Sequence, residues 1–210
     1  MKIEGAILAG GMGMRMGGAD KPLLNLGGTP LVGHVIARFG PQVEGLVINA
    51  NGDPARFAAF AHEVIADREG PGGGPLAGLA AVLERGALSP SITHVATVPA
   101  DTPLIPPDLV RRLAEALFDA GPAAVAIAAS GGRSHPVIGL WPVGLSAALN
   151  AHLAAGKKRS MQAFLGGLAV HEVEFPLSGG ADPFLNVNTP ADLEQATSLL
   201  RSGRILPPRG

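Results

Sequence analysis

The amino-acid sequence predicts an α/β fold, a three-layer αβα sandwich built on a mostly parallel sheet. Three observations lead there. Apolar runs and helical patterns alternate through the first ~105 residues, as in a parallel sheet covered on both faces. Two of those runs are followed by glycine-rich segments, at the strand ends where open α/β sheets bind ligands. The first and third runs, Ile3 to Leu8 and Thr93 to Pro99, are apolar enough to be buried strands.

In chain order, Ile3 to Leu8 is the first strand, and Gly10, Gly11, Gly13, Gly17 and Gly18 follow it in one loop ending at Lys21-Pro22. Gly27-Gly28-Thr29-Pro30 marks a turn, after which Leu31 to Phe39 carries apolar residues at helical spacing and stops at Gly40-Pro41. Val43 to Asn49 is a second strand, Ala55 to Ala61 a short helix, and Glu63 to Ala66 a short strand ending at Asp67. The second glycine loop, Gly70 to Pro75, opens a helix over Leu76 to Gly86. Thr93 to Pro99 delivers Ala100-Asp101-Thr102-Pro103, and Pro107 starts a helix at its favoured first position, with Asp108 in the first turn. Ala123 to Ala129 and Pro136 to Trp141 are further strands around a turn-rich segment, Ser130 to Pro136. Gly144 to Ala155 is helical, Ser160 caps a short helix to Leu165, and Ala169 to Phe175 alternates like a half-exposed strand. Thr189 caps the last helix with Pro190 at its first position. With no repeat and no linker, residues 1–200 read as one domain and 201–210 as a frayed tail.

Composition removes several functions. The formal net charge of the 210 residues is −1, from 16 basic and 17 acidic side chains, which gives no electrostatic case for nucleic acid or a membrane surface. Cysteine is absent, excluding disulfides, thiolate metal sites and a cysteine nucleophile, and fitting a reducing compartment. No run approaches ~18 apolar residues, and no signal peptide stands at the N-terminus, so the expectation is a soluble, cytoplasmic protein. His34, His62, His94, His152 and His171 lack metal-ligand spacing, and Ser134 has no convincing base and acid partners.

The first glycine-rich loop reads as a phosphate-binding loop, the other reading being a flexible surface loop, where glycines also cluster. Closely spaced glycines let the backbone turn sharply and aim its N–H groups at phosphate oxygens. Arg15 and Lys21 add the positive charge that a polyphosphate needs. The loop is neither a Walker loop, which requires Gly-Lys-Ser/Thr where Asp20 and Pro22 flank Lys21, nor a dinucleotide fingerprint, which Met16 interrupts. Asp101, just past a buried strand, is placed to hold Mg²⁺ beside a nucleotide, the other role being to cap its own turn. Asn49 and Asp67 end strands on the same predicted edge. Arg133, His135, Asn186 and Asn188 put polar groups in late loops, which suits a second substrate, although an ordinary turn role is the commoner one for such residues. Lys157, Lys158 and Arg159 form a basic run that reads as a solvated helix end.

The spacing Leu-Ala-Gly-Gly … Arg-Met-Gly-Gly-x-Asp-Lys over Leu8 to Lys21, with Asp101-Thr102-Pro103, resembles the signature of nucleotidyltransferases of the glycosyltransferase-A-like fold. Within them the chain is similar to the molybdenum cofactor guanylyltransferase family, from Ile3 to about Leu200. The resemblance implies the Rossmann-like topology of nucleotide-diphospho-sugar transferases. It makes Leu8, Ala9, Gly10 and Gly11 backbone contacts to the nucleotide, with Asn49, Asp67 and Gly78 beside them. Lys21 becomes the phosphate lysine, acting with Arg15, and Asp101 the residue that binds both Mg²⁺ and nucleotide. Arg133, His135, Asn186 and Asn188 resemble positions near the pterin substrate. Glycine at position 10, where cytidylyl relatives carry alanine, implies a purine, and Gly74-Pro-Leu-Ala-Gly78 points the same way.

The implied reaction transfers GMP from GTP to molybdopterin, or its molybdenum-loaded form, with release of pyrophosphate. Implied partners are GTP, molybdopterin, other proteins of molybdenum-cofactor synthesis and apo-molybdoenzymes, and the expected state is a monomer. The alternatives are a molybdopterin cytidylyltransferase, a sugar-phosphate nucleotidyltransferase, or a non-catalytic GTP-binding adaptor that delivers cofactor.

Overall fold

In the computed structural model, the strand Ile3–Leu8 (β1) lies inside a seven-stranded sheet with all six residues buried. The structure describes residues 1–10, 20–68, 70, 72–156, 159–177 and 180–202. The other strands of the sheet are Gly45–Asn49 (β4), Glu63–Ile65 (β5), His94–Pro99 (β6), Val125–Ser130 (β7), Arg133–Pro142 (β8) and Val170–Glu174 (β9). Asn25–Leu26 (β2) and Thr29–Pro30 (β3) form a separate small hairpin around Gly27-Gly28, whose φ values of +63° and +97° suit glycine. Across the main sheet the order is β5-β4-β1-β6-β8-β7-β9. Every pairing is parallel except the two made by β8, which runs against β6 and β7.

Alternate residues of β1 enter opposite cores, as the two-residue period of a strand requires. Ile3 and Ile7 join the helices Leu31–Phe39 (α1) and Leu109–Ala116 (α3) through Val32, Val35, Phe39, Leu109 and Leu113. Ala6 and Leu8 face Gly74–Ala87 (α2), Ser146–Ala154 (α4) and Met161–Leu165 (α5), meeting Leu76, Leu79, Leu149 and Phe164. Two helical layers therefore sandwich the sheet, as the alternation in sequence predicts. The last helix, Pro190–Arg201 (α6), packs outside these layers on the small hairpin through Leu26, Leu31, Val187 and Ala196. Gly5 permits α1 to close on β1, since a Cβ there would stand 2.8–2.9 Å from Val43, Leu46 and Phe39 side chains.

Some expected boundaries move, each for a tertiary reason. The helix expected from Pro107 begins at Leu109, because Gln42 reaches in from another segment and accepts from the Val110 N–H at 3.0 Å. The same amide donates to the Pro106 carbonyl at 2.9 Å, holding Pro106 outside the helix. The helix expected from Gly144 starts with a 3₁₀ turn over Val143–Leu145. Residues 133–136, expected in a turn, belong to β8: the turn is Gly131-Gly132 alone, with φ of +54° and +75°. The tail beyond residue 202 lies outside the described residues. Among those described, no helix is long and apolar enough to cross a membrane.

A bulge divides β8. Ile127 pairs with Gly139, but the next residue, Ala128, pairs with His135, so Pro136 to Ile138 have no opposite number on β7. Pro136 cannot donate to a ladder in any case. Thr97 fastens the bulge by donating its hydroxyl to the Val137 carbonyl at 2.7 Å, while accepting from the Trp141 indole at 2.8 Å. Gly139 is needed there, because a Cβ would lie 2.8 Å from the Ala126 carbonyl oxygen.

Candidate active site

The register brings the ends of β5, β4, β1 and β6 to one edge. Leu8 stands beside Asn49 on one side and Pro99 on the other, and Asn49 beside Ile65. Three backbone bonds carry the chain out together: Ala9 N–H to Asn49 O at 2.8 Å, Ala100 N–H to Leu8 O at 3.1 Å, and Ala50 N–H to Ile65 O at 2.9 Å. Leu8 and Ala9 are buried and Gly10 is exposed. Among the described residues, a Cβ on Gly10 would meet nothing within 4 Å. Gly11 and Arg15 lie outside the described residues, as do Lys157 and Lys158.

On the β4–β5 side, Asn49, Asn51 and Asp67 form one hydrogen-bonded unit. The buried Asn49 amide donates to Asp67 Oδ1 at 2.9 Å and to the Ile65 carbonyl at 3.2 Å. Asn51 donates to Asp67 Oδ2 at 2.7 Å and accepts from the Asp67 N–H at 3.0 Å. Each carboxylate oxygen is thus oriented by an amide while retaining a lone pair for a ligand donor. Gly78, near the start of α2, lies so close that a Cβ would be 2.4 Å from Asn49 Oδ1. Its observed role is to let the helix end approach the Asn49 amide.

At the end of β6, Lys21 and Asp101 form a short ion pair, Nζ to Oδ2. The same ammonium donates to Asn188 Oδ1 at 2.5 Å and Asn186 Oδ1 at 3.4 Å. The three donors of a lysine are therefore matched by a carboxylate and two amide oxygens. The loop bearing the asparagines is tied to the strand end by Val187 N–H to Asp101 O at 2.9 Å. It continues into a capping box on α6: Thr189 accepts from the Asp192 N–H, and Asp192 Oδ2 accepts from Thr189 and Asn188 N–H at 2.8 and 2.9 Å. These N–H groups, that of Asn188 foremost, hold the Asp192 carboxyl below its ordinary value, and Lys21 adds to the effect.

Asp101 Oδ1 is buried without a hydrogen-bond partner among the described residues. An orphaned carboxylate oxygen, on a residue whose other oxygen shares Lys21 with two amide oxygens, is a hard donor of the kind a small divalent cation takes. Among the described residues no cluster of three or more His, Asp or Glu could hold a metal alone. One carboxylate is what a cation needs when phosphate oxygens supply other ligands.

Arg133 and His135 lie on the N-terminal end of β8, which the antiparallel register carries toward the same edge. Arg133 is exposed there. His135 Nε2 is 2.8 Å from Ser130 Oγ, whose proton goes to Asp182 Oδ1 at 2.7 Å. Ser130 must therefore accept from the ring, which places the imidazole proton on Nε2. Burial lowers the His135 pKa, Asp182 opposes the fall, and Arg133 adds to it. The His135 ring packs at a tilt against Phe184, centroids 4.9 Å apart, and the Phe184 N–H donates to Asp182 Oδ1 at 2.8 Å. The segment 180–188 thus touches both the histidine and the lysine clusters.

The sequence expectations named Lys21, Asp101, Asn186 and Asn188 for two substrates, and the structure joins them in one cluster. Sequence reasoning missed Asn51, Ser130 and Asp182. Asn51 had a usable signal, because in extended chain Asn49 and Asn51 share a face. Asp182 had none, since only folding brings residues 130, 135 and 182 together.

Comparison with known proteins bears on this arrangement. A model of the MobA-like NTP transferase domain matches residues 5–171. The molybdenum cofactor guanylyltransferase of Cereibacter sphaeroides is 48% identical over 203 residues, covering 96% of this chain and 98% of that protein. Molybdopterin-guanine dinucleotide biosynthesis protein A from Archaeoglobus fulgidus has a crystal structure similar to this fold, with a TM-score of 0.72 at 22% identity over 95% of this chain and 99% of that one. A Mycobacterium tuberculosis protein crystallised as a manganese complex gives a TM-score of 0.62 at 19% identity, over 94% and 99% of the two chains. The similarity runs nearly end to end, and on that ground the chain belongs to the MobA-like NTP transferase family, that of the molybdenum cofactor guanylyltransferases, and is a nucleotidyltransferase.

Proposed function

We propose that this enzyme transfers GMP from GTP to the terminal phosphate of molybdopterin, or of its molybdenum-loaded form, and releases pyrophosphate in a Mg²⁺-dependent reaction. The observation that carries the reading is the Lys21–Asp101–Asn186–Asn188 cluster, set on the same sheet edge as the Asn49–Asp67 unit. The spatial order follows the parts of a nucleotide: Asp67 accepts hydrogen bonds from the nucleoside, and Lys21 takes the phosphates. Leu8, Ala9, Gly10 and Gly11 approach through backbone groups, Gly78 keeps Asn49 in place, and Arg15 adds charge to the phosphate side.

A phosphate monoester is already largely ionised at neutral pH, with a second pKa near ~6, so the acceptor needs no general base. The residues need only align the acceptor oxygen in line with the α-phosphorus and offset the negative charge that develops on transfer. Lys21 supplies a positive charge held at a fixed point by three oxygens. Mg²⁺, held by Asp101 with amide oxygens of Asn186 and Asn188 in reach, would supply Lewis-acid neutralisation of the phosphates. Arg133 and His135 serve the second substrate, whose pterin and phosphate offer hydrogen-bond donors and negative charge. The intact Lys21 and Asp101 argue against an adaptor that only binds GTP, which has little use for the two together.

The test is pyrophosphate release from GTP with Mg²⁺ and molybdopterin. Asp101→Asn should lower kcat by about a hundredfold or more, the scale of losing a charge-stabilising group, while the far-ultraviolet spectrum stays unchanged. Near-normal turnover in that variant would sink the assignment. Faster turnover with CTP than with GTP would keep the site and change the base.

A further inference from the structure

We propose that Arg56 is a positioning residue for nucleotidyl transfer, a strut that fixes the distance between the lysine end and the nucleoside end of the site. This rests on the nucleotide reading above and goes beyond it. Arg56 lies on the 3₁₀ segment Pro54–Phe60, which begins where Asp53 accepts from the Ala55 N–H at 2.9 Å. Its guanidinium stands over the buried Phe57 ring, 4.7 Å from the centroid, which sets its plane.

The two ends of that plane reach different parts of the site. Nη1 donates to Asp20 Oδ2 at 2.7 Å. Asp20 directly precedes Lys21 and opens its 3₁₀ turn, with Leu23 N–H bonded to Asp20 O at 2.9 Å. Nη2 donates to the Asn51 carbonyl at 3.1 Å. Asn51 in turn grips Asp67 at two points, through the carboxylate and the backbone N–H. One planar side chain therefore spans from the residue beside the phosphate lysine to the residue that orients the nucleoside carboxylate. Nε is buried without a partner among the described residues, so the fork is held by its two terminal nitrogens alone.

A lysine at this position could neutralise Asp20, but a single ammonium cannot reproduce the two-ended fork. That difference separates a strut from a plain surface ion pair. Loss of the Asp20 arm frees the turn carrying Lys21 and acts on kcat. Loss of the Asn51 arm frees Asp67 and acts on nucleotide affinity.

The experiment compares Arg56→Ala, Arg56→Lys and Asp20→Asn with the wild-type chain, by calorimetry with GTP and Mg²⁺ and by the kinetics of pyrophosphate release. For Arg56→Ala we expect about a tenfold weaker GTP affinity and about a tenfold lower kcat, the scale of a misplaced binding group. Arg56→Lys should recover most of kcat and little of the affinity, and Asp20→Asn should lower kcat while leaving affinity within about twofold. Equal losses in both constants for Arg56→Ala and Arg56→Lys, or altered melting temperature with wild-type constants, would overturn the strut. Should Arg56→Ala fail to fold, Arg56→Lys and Asp20→Asn decide by the same split. If the wild-type chain binds GTP but releases no pyrophosphate, the functional reading fails, and the strut is then judged by affinity: unchanged GTP affinity in Arg56→Lys overturns it.

Discussion

Gly78 and Asp101 illustrate how residue type and residue role part company. An aspartate after a buried strand points to an ion or a turn on chemistry alone, and the orphaned Oδ1 gives a physical reason to prefer the ion. A glycine in a helix points to nothing by its own chemistry, since it costs helix propensity and offers no side chain, and only the family resemblance singles out Gly78. Its reason is Asn49, whose amide fills the space that a Cβ would take. Gly78→Ala should therefore push the Asn49 amide off Asp67. We expect about a tenfold loss of GTP affinity with a stability loss of about 1–2 kcal/mol, the usual size of overpacking. Calorimetry and a urea melt measure both, and unchanged affinity would contradict the role given to Asn49. Asp67 and Asn49 were legible as strand-end residues, while their mutual bond was not, because it depends on which strands become neighbours.

Among the elements, the early strands and helices follow from sequence because their signals are local: apolar runs, glycine stops and proline starts. The β8 strand does not. Its first residues, Arg133 to His135, carry turn-forming composition, and only pairing with Ala128 to Ser130 makes them strand. The α6 cap was legible in Thr189-Pro190, but its link to the site was not: Asp192 also binds the N–H of Asn188, a partner of Lys21. Asp192→Ala should cost about 1 kcal/mol, the value of a helix cap, and should also lower kcat by freeing Asn188. Because bonding holds the Asp192 pKa below its ordinary value of 3.8, the carboxylate's contribution is complete above that value. It is lost as pH falls through the lowered pKa, so the variant and the wild type should converge in stability only in strong acid. Thermal melts across acidic pH, with steady-state rates at neutral pH, check both statements.

At the scale of the whole molecule, charge is placed with opposite logic at the two ends of β1. The far end holds Glu4, buried in the strand, with Arg85 of α2 at 3.3 Å and Glu63 sharing that arginine at 3.1 Å. Burial raises the Glu4 pKa, Arg85 lowers it in part, and Glu63 raises it again. In the folded state Glu4 thus holds its proton to higher pH than in the unfolded chain, and stability declines as pH rises from 4.5 through the raised value. Arg85→Met removes the compensating cation and should cost about 2 kcal/mol at pH 7, the penalty of stranding a buried charge. At pH 4.5, where Glu4 can be neutral, the cost should shrink. Trp141 is the only tryptophan in a chain without tyrosine, and its buried indole reports the unfolding directly.

The ammonium of Lys21 joins residues 80, 165 and 167 positions further along the chain. The Asn49–Asp67 unit, by contrast, closes over 18 positions. Loop-closure entropy grows with separation, so the short-range unit can form while the polypeptide is still being made and the lysine cluster only after residue 188 has emerged. A nascent chain on the ribosome would close the Asn49–Asp67 unit before it could hold Lys21 in place. The lysine cluster is thus the later of the two units to close.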